Sequence, residues 1–318
     1  MYAICIECSH QRGMGNLFRS LNIINWFHEH KIEFVVLINE DVRSMSYLDS
    51  QNIAYHIVDL WDYQTNWEKR MIEQYKIKTW INDRMATDIR HVRNIKNCGV
   101  KLCSFDDTGS GAELTDKNFC SMVFDHVDRL KGKEVFTGVE YMILNPEIQQ
   151  YRKHRTKKER ILITLGGSDT YGVTVRVAKD VKNLPYDFTI VVGYCFNDYD
   201  KLQAIIKDSS IQVKNTVPSL IEFFSYFDLA ITGGGITSFE ACSSGIPCII
   251  IANEHHEEQV GRFFKRSGCA EYLGYYQDVF WDQIGLCIEE MDVAAMSNRA
   301  LQLLTLSGLE NTMREITK

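Results

Sequence analysis

Short apolar runs alternate with amphipathic stretches along the chain. In the first half, residues 3–6, 34–38, 79–82 and 101–105 read as strands, with a shorter one at 54–58. Between them, residues 17–28 repeat apolar side chains at helical spacing through Leu17, Leu21, Ile24 and Phe27, and 67–75 and 89–97 also read as helices. The run Phe34-Val35-Val36-Leu37-Ile38 is apolar throughout, which marks a strand covered on both faces. The alternation restarts after residue 160. Strands are predicted at 161–165, 188–192, 211–214, 229–232 and 248–251. Helices are predicted at about 173–181, 202–206, 219–226 and 259–267, and the tail from Trp281 reads as helical, with a closing helix at 308–316.

Buried strands separated by helices predict an α/β protein with parallel sheets. The restart predicts two doubly wound units rather than one long sheet. In such sheets ligands bind at the carboxyl ends of the strands, so two units facing each other would leave a central cleft. The expected domains are 1–148 and 161–318, with the last helix packing back on the first. Residues 149–160, charged and poor in apolar side chains, are the expected linker.

Composition narrows the class. The chain has 318 residues, 45% hydrophobic and 24% charged, as in ordinary globular proteins. Its net charge of −7 argues against a general nucleic-acid binder. No apolar run approaches the roughly 20 residues of a membrane span. The start, Met1-Tyr2-Ala3-Ile4-Cys5-Ile6, lacks a basic flank and turns polar at Glu7, so it reads as a first strand rather than an export signal. The 10 cysteines form no CxxC pair and no zinc-type cluster, which predicts reduced, buried thiols and a cytoplasmic location.

The residues with most chemical content follow the strands. Gly233-Gly234-Gly235-Ile236-Thr237 joins a buried strand to a helix start. Such a turn lets backbone approach a phosphate and presents free amides at the positive end of the helix dipole. Glu240, one turn on, suits a ribose. The alternative is a tight turn with no ligand. Gly166-Gly167-Ser168-Asp169 is a second backbone nest at a helix start. Gly13, Gly15, Asn16 and Arg19 follow the first strand, where Asn16 suits a helix cap. Asp83 and Asp107 end two further strands. His255-His256-Glu257-Glu258 lacks the HExxH spacing of a metal site, so no metal is expected. Neither a P-loop nor a complete dinucleotide fingerprint is present, since Phe18 replaces its third glycine.

The order of these motifs resembles the GT-B nucleotide-sugar enzymes, and within them the PseG/SpsG branch, with MurG as a more distant relative. The resemblance covers most of the chain. It rests on the GxGxxxR loop (Gly13, Gly15, Arg19), Ser104-Phe105-Asp106-Asp107, Gly138-Val139-Glu140-Tyr141, Leu165-Gly166-Gly167-Ser168-Asp169, the glycine turn with Glu240, and Gly245-Ile246-Pro247. It implies two Rossmann-like domains with the nucleotide held mainly by the second. It also implies ribose binding by Glu240 and diphosphate contact along residues 233–237. Gly13, Gly15, Arg19, Gly166, Gly167, Ser168, Gly234, Gly235, Ile236, Thr237, Glu240, His256 and Glu257 are the resulting nucleotide-sugar contacts.

Three departures bear on the reaction. The family hydrolase carries a histidine directly after its GxG, where this chain has Asn16. An amide cannot accept a proton, and a general base is worth about 10²–10⁴ in rate. Met85 stands where the hydrolase has a tyrosine, and His256-Glu257 where relatives often have Asn-Gln or Asp-Gln. Three readings follow. One is a glycosyltransferase that uses a UDP- or similarly activated amino or deoxy sugar in surface-glycan biosynthesis. Its acceptor would be a sugar, or a lipid- or protein-linked glycan. Another is a UDP-sugar hydrolase of pseudaminic-acid biosynthesis with a replaced base. The third is a silent nucleotide-sugar binder. Asn16, Asp83, Asp107 and His10 are the candidate catalytic positions, and no cofactor is expected.

Overall fold

The first sheet has seven strands: β1 (Tyr2–Ile6), β2 (Phe34–Ile38), β3 (His56–Ile57), β4 (Thr79–Asp83), β5 (Lys101–Phe105), β6 (Lys117–Cys120) and β7 (Glu134–Thr137). The second has six: β8 (Arg160–Thr164), β9 (Asp187–Val192), β10 (Gln212–Asn215), β11 (Leu229–Thr232), β12 (Cys248–Ala252) and β13 (Ala270–Tyr275). The computed structural model describes residues 1–9, 15–166, 169, 171–193, 196–215, 217 and 219–318.

All strand pairs are parallel. The orders are β3-β2-β1-β4-β5-β6-β7 and β10-β9-β8-β11-β12-β13. Each sheet therefore reverses its direction of winding once, between β1 and β4 and between β8 and β11. These are topological switch points, where the loops leaving adjacent strand ends diverge and leave a crevice.

Both faces of the first sheet are buried, as its apolar strands predict. Ala3 and Cys5 of β1 face a cluster with Trp80, Val92 and Leu102, while Ile4 and Ile6 face one with Ile24, Phe27 and Phe105. The second sheet has its own core around Ile161, Ile163, Val177, Ile190 and Ile231. Strands β6, β7 and β13 escape the hydrophobic pattern because they are short or half polar. The helix Val42–Ser50 was also not predicted. Its signal is Asp41, whose carboxylate accepts a hydrogen bond from the Ser44 amide at 2.9 Å.

The described residues up to Ile143, with Ser307–Lys318, make one compact unit, and Leu144–Leu306 make the other. The closing helix, Gly308–Thr317, sits in the first unit, where Met313 and Ile316 enter its core. Trp26 Nε1 donates to Glu310 at 2.8 Å and Lys117 pairs with Glu315 at 2.9 Å.

Residues 149–160, expected as a linker, lie within the second unit, and their basic side chains explain why. Helix C-termini leave carbonyls without intrahelical donors. Arg152 donates to the Ser243, Leu301 and Leu304 carbonyls at 2.8, 2.7 and 2.6 Å. Arg155, 2% exposed, donates to Phe227 O at 2.8 Å and Phe224 O at 3.3 Å. Lys158 donates to Ile288 O at 3.0 Å and Glu289 O at 2.6 Å. One basic segment thus finishes four helix ends. Burial lowers the Arg155 guanidinium to about 10, still charged at neutral pH. Among the described residues no helix is long and apolar enough to cross a membrane.

Arg155→Ala would take the guanidinium donors from the buried carbonyls of Phe227 and Phe224. We expect a loss of roughly 2–4 kcal/mol of stability, read as a lower urea midpoint with an unchanged far-ultraviolet spectrum.

Candidate functional site

The triple glycine leaves β11 at the switch point of the second sheet. None of its three residues has a positive φ, so a left-handed turn is not what requires glycine here. Crowding is the reason. A Cβ on Gly234 would stand 2.7 Å from both the Cβ and the carbonyl oxygen of Glu257, and one on Gly233 would stand 3.1 Å from Asn253 Nδ2. The turn is pressed against the segment that follows β12. Gly166, which follows β8 on the other side of the switch point, does have φ +92 and open space around its missing Cβ. There the left-handed backbone itself favours glycine.

Gly235, with extended backbone, precedes the helix Ile236–Ser243. Ile236 and Thr237 open that helix, where amides lack an intrahelical acceptor. The Ser238 hydroxyl donates to Gly235 O at 2.8 Å. The Glu240 backbone carbonyl accepts from Ser243 and Ser244, but its carboxylate has no partner among the described residues. Burial pushes that carboxyl up to about 7. On this edge Thr232 Oγ1 and Asn253 Oδ1 are buried with no hydrogen-bond partner among the described residues.

Glu257 is placed quite differently. Its Oε2 accepts hydrogen bonds from the Gly234 amide at 3.3 Å and the Asn253 amide at 2.7 Å. Burial raises its pKa, and those two amides pull it back. His256 is exposed beside it. His255 points elsewhere, stacked on Tyr275 at 4.2 Å and bonded to Glu258 at 2.9 Å. Among the described residues no group of three or more His, Cys, Asp or Glu is arranged to hold a metal. In the Gly166 loop, Asp169 caps the helix Val173–Val181 through the Val173 and Thr174 amides, both at 2.8 Å. That helix start is filled by its own carboxylate. Gly167 and Ser168, with His10 and Gly13, lie outside the described residues.

In the first unit, Arg19 and Asp83 come together but not as free groups. Arg19 Nε and Nη2 donate to the two oxygens of Asp83 at 3.1 and 2.6 Å, and Nη1 bonds Asp106. The guanidinium lies 5.0 Å from the centre of the Phe105 ring. Ser20 adds a hydrogen bond to Asp83 at 2.9 Å. Burial opposes the Arg19 charge, but the two carboxylates outweigh it and raise its pKa. Burial likewise raises Asp83, against the pull of Arg19 and Ser20. Arg19 thus spends its donors inside the unit and Asp83 its acceptors. Gly15 and Asn16 open the helix Gly15–Glu29, and the Asn16 amide makes a long contact of 3.5 Å with the Asp83 carbonyl. Asp107 is fully buried and binds the Thr87 and Gly109 amides, each at 2.9 Å. Asp106 and Asn253 are not among the expected site residues. Asp106 stood in the Ser104–Asp107 motif, whereas Asn253 carries no signal of its own.

No family model matches the chain. It is 24% identical over 291 residues to an uncharacterized protein of Methanocaldococcus jannaschii, covering 83% of this chain and 58% of that one. The chain thus spans little more than half the length of that relative. It is 22% identical over 284 residues to the spore coat polysaccharide biosynthesis protein SpsG of Bacillus subtilis, covering 85% and 83% of the two chains. Among solved structures, Acinetobacter baumannii MurG aligns with TM-score 0.71 at 15% identity over 99% of both chains. Glycosyltransferase VinC, in complex with DTDP, aligns with TM-score 0.69 at 11% identity over 99% and 98%. The fold of the two units is that of the GT-B glycosyltransferases.

The raised Glu240 carboxyl has a consequence for stability. Its value is about 7 folded, against an ordinary 4.5. Between those values the folded chain keeps a proton that the unfolded chain has released, so stability falls as pH rises through this window. Urea melts at pH 5 and pH 7.5, flanking the window roughly, should show wild type losing more stability than Glu240→Gln.

Proposed function

We propose that this chain is a nucleotide-sugar-dependent glycosyltransferase. Its donor is a UDP- or similarly activated amino or deoxy sugar, and the reaction is at the anomeric carbon. One observation carries this reading. The glycine turn, the open amides of Ile236 and Thr237 and the unpartnered Glu240 carboxylate lie within about one helical turn, beside the switch point of a parallel sheet. Amides fixed at a helix start stabilise a leaving diphosphate without reorganising. A carboxylate with no partner among the described residues is free to accept hydrogen bonds from ribose hydroxyls. The GT-B fold and a neighbour solved with a nucleoside diphosphate support this choice of ligand. The likeness to a spore coat polysaccharide protein supports a place in surface-glycan biosynthesis.

In the step itself, the bond from the anomeric carbon to the diphosphate oxygen breaks and its electron pair leaves with the diphosphate. The acceptor oxygen bonds to that carbon and releases its proton to a base. Asp83 and Asp107 are bound within their own unit, so in this reading they organise loops. His10 is the remaining candidate base. The reading calls for no metal, because the backbone amides meet the diphosphate charge.

Two measurements test it. Glu240→Ala should weaken UDP binding by about ten- to a hundredfold by calorimetry, the effect of losing hydrogen bonds to a charged group. UDP release from a UDP-sugar should depend on an added sugar or glycan acceptor. Equal release without acceptor would identify a hydrolase instead, and binding without turnover a silent binder.

A further inference from the structure

The glycine turn already has an anion on it. Glu257 Oε2 takes the Gly234 amide and the Asn253 amide. Its main chain lies so close to the turn that Gly234 has no room for a Cβ. The carboxylate is therefore held against the turn by packing as well as by hydrogen bonds. We infer that Glu257 is an internal competitor for the diphosphate, and that it sets the affinity of the site for nucleotide. This rests on the reading of the turn as the diphosphate site.

The physical argument is one of charge and donors. A backbone amide has a single hydrogen to give, and the Gly234 amide gives it to Glu257 in this state. A diphosphate that claims this amide must expel the carboxylate. One that settles on the neighbouring amides of Ile236 and Thr237 must sit close to a like charge. The Glu257 carboxylate reaches that side of the turn, since a Cβ on Gly235 would lie 3.6 Å from its Oε1. Either route costs binding energy that a neutral side chain would not. The same cost speeds the departure of a nucleoside diphosphate product, because the carboxylate returns to the amides it left. Glutamine at this position keeps an oxygen for the Asn253 amide and removes the charge. The neighbouring Glu254 supplies a control, because it is exposed and its carboxylate accepts the Tyr171 hydroxyl at 2.8 Å.

Calorimetry of wild type, Glu257→Gln and Glu254→Gln with UDP, dTDP and uridine tests the inference. Glu257→Gln should bind whichever diphosphate the wild type binds about tenfold more tightly, a gain of ~1.4 kcal/mol. Uridine, which has no phosphate, should show no gain, and Glu254→Gln should match wild type. Unchanged or weaker diphosphate binding by Glu257→Gln, with wild type binding normally, would overturn the inference alone. An equal gain in Glu254→Gln or for uridine would also overturn it. If neither diphosphate binds wild type or Glu257→Gln, the nucleotide site itself is wrong and the inference falls with it.

Discussion

Where β11 pairs with β8, the second sheet reverses its direction of winding, and the loops leaving those two strand ends diverge. That pairing puts Gly166 and the triple glycine on neighbouring strand ends although about 70 residues separate them in the chain. It also leaves the start of the helix Ile236–Ser243 beside the crevice. β12, paired on the far side of β11, brings Asn253 and Glu257 against the same turn. The close approach that forbids a side chain at Gly234 is a result of this three-strand arrangement.

The carboxylates divide into bound and unbound ones, and the division is electrostatic. Asp83 and Asp106 neutralise a buried arginine. Asp107 and Asp169 each accept two backbone amides and fix a loop or a helix start. A buried charge is tolerated when it is paired in this way. Glu240 has no such pairing, and burial pushes it up to about 7. Buried polar groups left without partners are uncommon in folded proteins, and two of them here, Thr232 Oγ1 and Asn253 Oδ1, lie at the ends of the paired strands β11 and β12. On the proposed reading, the hydroxyls of a nucleotide sugar would supply donors to that edge.

The basic segment from Arg152 to Lys158 shows the same bookkeeping on the opposite sign. It has the composition of a solvated linker, yet Arg152, Arg155 and Lys158 each end on carbonyls at a helix terminus. Its charge is complementary to four helix dipoles of the second unit. The chain then returns to the first unit only for its last helix, anchored through Trp26 and Lys117.

Most strands and helices were legible from period alone, because strands covered on both faces are apolar throughout and their helices carry an apolar stripe. β6, β7 and β13 were not, since Lys-Asn-Phe-Cys and its like become strands only by pairing with neighbours already in place. The glycine turn and Glu240 stood out because local sequence sets a strand-turn-helix junction. The sequence by itself determined an α/β chain of two units and where its strand-turn-helix junctions fall. Only the tertiary structure decided which side chains there are free. Arg19 is consumed by Asp83, 64 residues away, and Gly234 is held by Glu257, 23 residues on. Hydrogen bonds of that span depend on strand order, and strand order is not written in the period of any one segment.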